Sequence, residues 1–106
     1  MSELEQLRKY LDAQGIEYDW FDVDELYEKD GTMHRADRHQ IIVYATTGER
    51  LWDAICELCS WGYEDGLLEY MDENSITGWL TAKEVISRIE RSNVWERMAR
   101  RCEKQS

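Results

Sequence analysis

The sequence predicts an α+β domain: a small antiparallel sheet of three to four strands, flanked by an N-terminal helix and a long C-terminal helix. Two capping boxes, each followed by apolar residues at helical spacing, predict the helices near the two ends. Runs of β-branched and aromatic residues separated by glycine predict the sheet between them. The length of 106 residues suits a single domain over residues 1–106, and five Trp and six Tyr supply bulky side chains for its core.

The N-terminal helix is predicted over residues 3–14. Ser2 with Glu5 forms the capping box, and Gly15 is suited to the end of the helix. The apolar residues at helical spacing behind that cap are Leu4, Leu7 and Leu11.

The C-terminal helix is predicted over residues 82–102, beginning at a second capping box of Thr81 and Glu84. Basic residues near its far end complement the helix dipole. Its apolar stripe consists of Val85, Ile86, Ile89, Val94, Trp95 and Met98.

The strands are predicted from residue type and alternation. In Ile16–Phe21, residues of β-prone type recur at every second position, which predicts a strand. Gln40–Ala45 is a continuous apolar run typical of a strand buried on both faces, and Leu67–Met71 suits a further strand. The segment Leu51–Cys59 fits a helix or a strand, and Gly48 just before it favours a hairpin.

Residues 22–38 separate the first two predicted strands. They are acidic and then mixed in character, so we expect a long exposed connection. The pattern also allows a short helical turn at Asp24–Glu28.

The charge is strongly negative, with 23 acidic against 13 basic side chains and a formal net charge of -10. Such a chain is not expected to bind DNA, RNA or an anionic membrane through a broad basic face. The acids are concentrated in two blocks. Residues 1–30 carry ten acids and three bases, and residues 51–75 carry seven acids and no base.

The compartment is predicted from what the sequence does not contain. No run approaches the roughly 18 apolar residues of a membrane span, and the N-terminus does not have the pattern of a signal peptide. Three cysteines are an odd number, which favours free thiols in a reducing environment. We therefore expect a cytoplasmic protein.

Four stretches carry a family resemblance: residues 38–43, 50–56, 60–69 and 78–82, with sequences RHQIIV, RLWDAIC, SWGYEDGLLE and GWLTA. They resemble a group of small, acidic, uncharacterised proteins from phages and other mobile elements of Gram-positive gut bacteria. The similarity covers about residues 38–90. It implies a phage or mobile-element origin and a strand at Leu51–Cys59, but it provides no catalytic residue.

A zinc module is one alternative function. His34, His39, Cys56 and Cys59 could supply four zinc ligands, although their spacing is not that of a common zinc finger. The competing interpretation is two small buried thiols and two polar histidines. The sequence shows no catalytic motif, so we expect neither an enzyme nor a cofactor.

The acidic residues have two interpretations: a solvated surface that keeps the protein soluble, or a phosphate-like surface that competes with nucleic acid for a basic groove. Alternate residues of a strand lie on one face, about 6–7 Å apart, so their carboxylates can approximate a row of phosphates. The candidate partner-binding residues are Glu17, Asp19, Asp22, Asp24, Glu25, Glu28, Asp30, Glu64, Asp65 and Glu69.

The leading hypothesis is therefore a small non-enzymatic inhibitor from a phage or mobile element. Its partner would be a basic host protein that handles nucleic acid, such as a CRISPR-associated or other defence nuclease, blocked in the manner of an anti-CRISPR protein or DNA mimic. The other alternative is a structural or regulatory homodimer. In it the exposed end of the C-terminal helix, with Val94, Trp95 and Met98, would pair with a second copy.

Overall fold

The computed structural model describes residues 1–101, and for residues 24–29 and 33–37 it describes the backbone only. The architecture is α+β, as predicted, but the sheet has five strands and the C-terminal helix is short. A single turn of 3₁₀ helix, Tyr63–Asp65, lies between β3 and β4. The elements are α1 Glu3–Ala13, β1 Tyr18–Lys29, β2 Thr32–Tyr44, β3 Arg50–Ile55, β4 Leu68–Asp72, β5 Ile76–Leu80, α2 Ala82–Arg91 and α3 Val94–Arg97.

The five strands form one antiparallel meander in the order β1-β2-β3-β4-β5. Ile41 of β2 pairs with Ala54 of β3, which pairs with Tyr70 of β4, and all three are buried. They belong to one core cluster that also contains Leu7 of α1 and Val85 of α2, so both helices pack on this face of the sheet.

The N-terminal prediction is confirmed. α1 begins after Ser2, whose hydroxyl accepts the Glu5 N–H at 3.1 Å, and its apolar side chains enter the core. The strand predicted at Gln40–Ala45 is confirmed up to Tyr44, where β2 ends, and Ile41, Ile42 and Val43 are all buried. The ambiguous segment Leu51–Cys59 forms a strand, β3, over its first half.

The prediction of a long exposed connection at residues 22–38 is wrong. The backbone of these residues continues β1 and β2 as a hairpin, and so does that of the proposed helical turn at Asp24–Glu28. Asp30 and Gly31 form the two-residue loop, with φ of 52° and 78°. Positive φ at both loop residues is the requirement of a type I′ turn, whose twist matches that of the strands.

The long C-terminal helix is also wrong, because α2 ends at Arg91 and Ser92 is extended. Continuing the face of Val85 and Ile89 by three or four residues would place Ser92, Asn93 and Glu96 against the core. The break avoids burying those polar side chains. Residue 102, the last of the predicted helix, lies outside the described residues.

After the break, Val94 and Met98 are directed into the chain's own core, with 6% and 1% of their surfaces exposed. Trp95 packs on Tyr10 of α1, with ring centroids 6.2 Å apart. The residues proposed for pairing with a second copy are thus largely used within one chain.

The segment after α3 closes the fold at the open end of the hairpin. Ala99 donates its N–H to the carbonyl of Tyr44 at 2.8 Å, and its own carbonyl accepts the Glu17 N–H at 3.0 Å. Met98 and Arg100 make isolated β-bridges to Ala45 and Ile16. The C-terminal segment therefore joins the start of β1 to the end of β2.

Candidate functional site

The predicted partner-binding acids lie in three separate places. Glu17, Asp19 and Asp22 lie at or near the base of β1, whereas Glu64, Asp65 and Glu69 lie in or beside the β3–β4 connection. The remaining four lie in the part of the hairpin beyond the Val23–Arg38 pair, which we call the arm (residues 24–37). They are Asp24, Glu25, Glu28 and Asp30.

The acids at the base of β1 mostly serve the fold. Asp19 accepts the Tyr44 hydroxyl at 2.6 Å, and this bond is the main reason that the pKa of Tyr44 is raised. Asp22 lies 2.7 Å from Nδ1 of His39 on the neighbouring strand. Glu17 is exposed and makes no side-chain hydrogen bond to another described residue.

Most acids of the second block are also engaged. Glu57 accepts the His39 N–H at 2.9 Å, and Glu69 accepts the Trp61 N–H at 3.1 Å. Asp72 accepts two backbone N–H groups of the β4–β5 turn, Asp53 is buried, and Glu73 pairs with Arg97. Within the described part of the chain, Glu64 and Asp65 are the two acids of this block that are exposed and without a side-chain partner.

The arm extends beyond the rest of the sheet. Its six strand pairs run from Asp24–Asp37 to Lys29–Thr32, whereas β3 pairs with β2 only from Gln40 onward. Six residues of strand at about 3.4 Å each give a projection of roughly 20 Å. The arm contains five acids and two bases. It is a narrow acidic ribbon.

A second surface lies at the β3–β4 connection, where a groove of about 400 Å³ is lined by residues 58–65 and Trp79. Three large apolar side chains are exposed there: Leu58 at 57%, Trp61 at 50% and Trp79 at 57%. The two indoles are stacked, with centroids 6.1 Å apart and planes inclined by 10°. We call this surface the tryptophan groove.

The backbone positions this indole pair closely. A side chain at Gly78 would overlap the Cβ of Trp61, so only glycine allows the two segments to approach. Trp79 donates its N–H to the carbonyl of Trp61 at 3.2 Å and has a φ of 56°. Left-handed backbone at a bulky residue costs about 1–2 kcal/mol, and such strain is concentrated at functional sites.

The charges around the groove are acidic. Glu64 and Asp65 line it, and residues 51–75 contain no Lys or Arg. The groove is therefore an exposed aromatic surface with carboxylates at its edge. That combination suits a partner group that is both apolar and cationic.

Among the residues proposed for zinc whose side chains are described, His39, Cys56 and Cys59 do not form one cluster. Cys56 lines a second cavity of about 270 Å³ together with His39 and Asp22, whereas Cys59 lines the tryptophan groove. The side chain of His34 lies outside the described ones, and its backbone is five residues along β2 from His39. Among the residues whose side chains are described, no three His, Cys, Asp or Glu residues are arranged to hold a metal.

The Cys56 thiol is not activated. Burial, and to a lesser extent the charge of Glu57, raises its pKa above the ordinary value, so the thiol form is favoured. A thiolate is the reactive form in nucleophilic and redox chemistry. The cavity with His39 and Asp22 therefore lacks the low-pKa thiol that such chemistry requires.

Sequence reasoning missed the groove as a unit. The signal was the glycine next to each indole, in Trp61-Gly62 and Gly78-Trp79. Glycine beside a large aromatic residue indicates a close backbone approach, and here the two segments approach each other.

Comparison with known proteins finds no family model, curated protein or solved structure that matches this chain. Among the helices of residues 1–101, none has both the length and the apolar character needed to cross a membrane.

Proposed function

We propose that this chain is a small non-enzymatic acidic binding protein of phage or mobile-element origin. It inhibits a basic host protein that handles nucleic acid, such as a CRISPR-associated or other defence nuclease. The arm enters the groove that normally holds phosphates. The observation that carries the proposal is the projection of this acidic ribbon beyond the sheet.

The dimensions of the arm support this mechanism. Two paired strands lie about 4.8 Å apart, so the backbone ribbon is narrower than a nucleic-acid duplex, whose major groove alone is about 12 Å wide. Its carboxylates supply the negative charge that a phosphate-binding groove attracts, which speeds association at low salt.

The register adds a second argument. Asp24 is directly opposite Asp37 across the hairpin, so the register brings two acidic residues to the same level of the arm. This concentrates negative charge in the part of the chain that we propose enters the basic groove.

The experiment captures proteins from a Gram-positive bacterial lysate with this chain at low salt and identifies all of them. Those that bind nucleic acid are purified, and each is tested for displacement of a labelled DNA duplex or RNA by the chain. We expect full competition at about 50 mM salt and at least a tenfold loss of affinity at about 300 mM, because several charges are neutralised in the complex. Capture of proteins that do not bind nucleic acid, or competition independent of salt, would contradict the proposal.

The variant that tests the arm is Glu25→Gln/Glu28→Gln, and its matched control is Glu73→Gln/Glu96→Gln. Both remove two negative charges, but Glu73 lies in the β4–β5 turn and Glu96 in α3. We expect the arm variant to weaken competition about tenfold and the control less than twofold. Equal losses would show that total charge matters and that the arm does not.

A further inference from the structure

We infer that the tryptophan groove binds an arginine-bearing segment of the partner, with the guanidinium stacked on the exposed indoles of Trp61 and Trp79. This inference rests on the proposed function in one respect, since it takes the partner to be a basic protein. It concerns a surface remote in sequence from the arm, and it names the chemistry that this surface recognises.

The first argument is that arginine side chains of the same chain stack on many of its other aromatic rings. Five of them carry an arginine guanidinium from the same chain at 3.5–6.0 Å from the ring centroid. These pairs are Arg8 on Trp20, Arg38 on Phe21, Arg88 on Tyr70, Arg100 on Trp95 and Arg101 on Tyr18.

Trp61 and Trp79 differ from those rings. They are about half exposed and stack on each other, and no described Lys or Arg side chain lies over either indole. Tryptophan is the aromatic residue that attracts a cation most strongly. The indole pair therefore has an open site for a cation that no Lys or Arg with a described side chain occupies.

The second argument is charge complementarity. Glu64 and Asp65 border the groove, are exposed and have no side-chain partner among the described residues. A cation stacked on the indoles would lie near two carboxylates. A base of RNA or DNA would also stack on indole, but its nucleotide carries a phosphate that these carboxylates repel.

Arginine fits this groove better than lysine. Its guanidinium is planar, is weakly hydrated and stacks on aromatic faces while its edge donates to carboxylates. The groove offers both features side by side, and Leu58 adds an exposed apolar surface for the arginine stem.

The third argument is pre-organisation. Gly78 permits the close approach to Trp61, the backbone N–H of Trp79 bonds the carbonyl of Trp61, and the two indoles are already stacked within the single chain. A rigid aromatic platform loses little conformational freedom on binding, which is typical of energetically dominant interface residues.

The test titrates the full chain, labelled with ¹⁵N, with acetylated and amidated tetra-arginine and tetra-lysine peptides. Its five Trp residues give five indole N–H signals, which Trp→Phe variants assign. We expect saturable shifts of the Trp61 and Trp79 signals, little change at the buried Trp52, and binding of tetra-arginine at least about threefold tighter than tetra-lysine. Equal binding of the two peptides, or shifts confined to other indoles, would overturn the inference.

Two variants separate the groove from the fold. Trp61→Ala removes the platform, and we expect it to abolish the preference for arginine. Glu64→Gln/Asp65→Asn leaves the packing intact, and we expect it to weaken tetra-arginine binding about three- to tenfold, against less than twofold for Glu73→Gln/Glu96→Gln. Unchanged binding in the Glu64/Asp65 variant would overturn the inference even if Trp61→Ala failed to fold.

The outcomes also distinguish the groove from the arm. The arm variant Glu25→Gln/Glu28→Gln is expected to retain the arginine preference. If both peptides fail to bind but the arm still competes with nucleic acid, the groove inference is wrong and the proposed function stands. If the Trp61 and Trp79 indole signals shift with protein concentration alone and sedimentation shows a dimer, a second copy of the chain occupies the groove. That result would also overturn the groove inference.

Discussion

At the scale of single residues, Asp53 is the most unusual side chain on the sheet face opposite the helices. Its side chain is 5% exposed, and it is flanked across the strands by Ile42 and Met71. One carboxylate oxygen accepts the Gln40 amide at 2.8 Å, and the other has no partner among the described residues. Burial raises the pKa of Asp53 above its ordinary value.

The pH dependence follows from that direction. The pKa of Asp53 is higher in the folded state than in the unfolded state, so its ionisation lowers the free energy of unfolding at a pH above the folded pKa. This destabilisation disappears as the pH falls toward the ordinary value of 3.8, because the carboxyl group is then protonated in the folded state. We therefore predict that Asp53→Asn stabilises the protein by about 1 kcal/mol at pH 7. The advantage should shrink steadily on acidification.

Urea unfolding at a series of pH values measures this difference. Asp65→Asn provides the control, because Asp65 is exposed and should show a difference near zero throughout. An Asp53→Asn advantage that stays constant with pH, or a destabilisation at pH 7, would mean that the buried carboxylate has a partner in solution.

At the scale of elements, α1 and α2 are linked by a charged hydrogen bond. Oε1 of Glu3, in the first turn of α1, accepts the Ala82 N–H at the start of α2 at 2.7 Å. The first N–H groups of a helix have no partner within it, and a carboxylate there also complements the helix dipole. One helix thereby caps the next.

Replacing Glu3 tests this cap. We predict that Glu3→Ala lowers the free energy of unfolding by about 1 kcal/mol, and that Glu3→Gln, which keeps an acceptor but loses the charge, lowers it by about half as much. Thermal and urea unfolding measure both. Wild-type stability in Glu3→Ala would contradict a role for this bond in joining the helices.

The success of sequence prediction also varied by element. The capping boxes at Ser2 and Thr81 located both helix starts, because a cap depends on residues three apart in the sequence. The end of α2 was mispredicted because apolar residues at helical spacing continue past it. Val94 and Met98 are buried in the core, but they enter it from another direction, and that direction depends on the position of the sheet. The Asp30-Gly31 loop carried a strong hairpin signal, but the acidic residues around it obscured the strand pattern.

At the scale of the whole molecule, the arm makes the chain elongated. The structure measures 50 × 34 × 27 Å, and its radius of gyration is 15.2 Å. A compact domain of this length is expected to have about 13 Å. The difference agrees with a ribbon that projects from a smaller body.

The arm can therefore be removed to test its independence. We predict that joining Val23 to Arg38 through Asn-Gly leaves a folded domain, because the arm strands pair only with each other. Small-angle scattering should give a radius of gyration of about 13 Å, and thermal unfolding should remain cooperative. A broad, non-cooperative transition would show that the body depends on the arm.

The site was predicted less completely than the fold. The acidic blocks were visible in the sequence, but the sequence could not show that Asp19, Asp22 and Glu69 would be occupied by hydrogen bonds within the chain. Such partners come from neighbouring strands or from a turn folded against one, so they depend on register. The stack of Trp61 on Trp79 required β5, which was not predicted, to be placed beside the β3–β4 connection.

The junction made by Ala99 bears on how the protein is synthesised. The β-bridges of Ile16 and Ala45 can form only after Arg100 and Met98 have been synthesised, and each of these partners lies more than fifty residues further along the chain. At about 5–20 residues per second, a ribosome needs roughly 3–11 s to proceed from Ala45 to Met98. During that interval the end of β2 lacks its contacts with Met98 and Ala99, so newly made chains are expected to need protection from aggregation until translation has passed this segment.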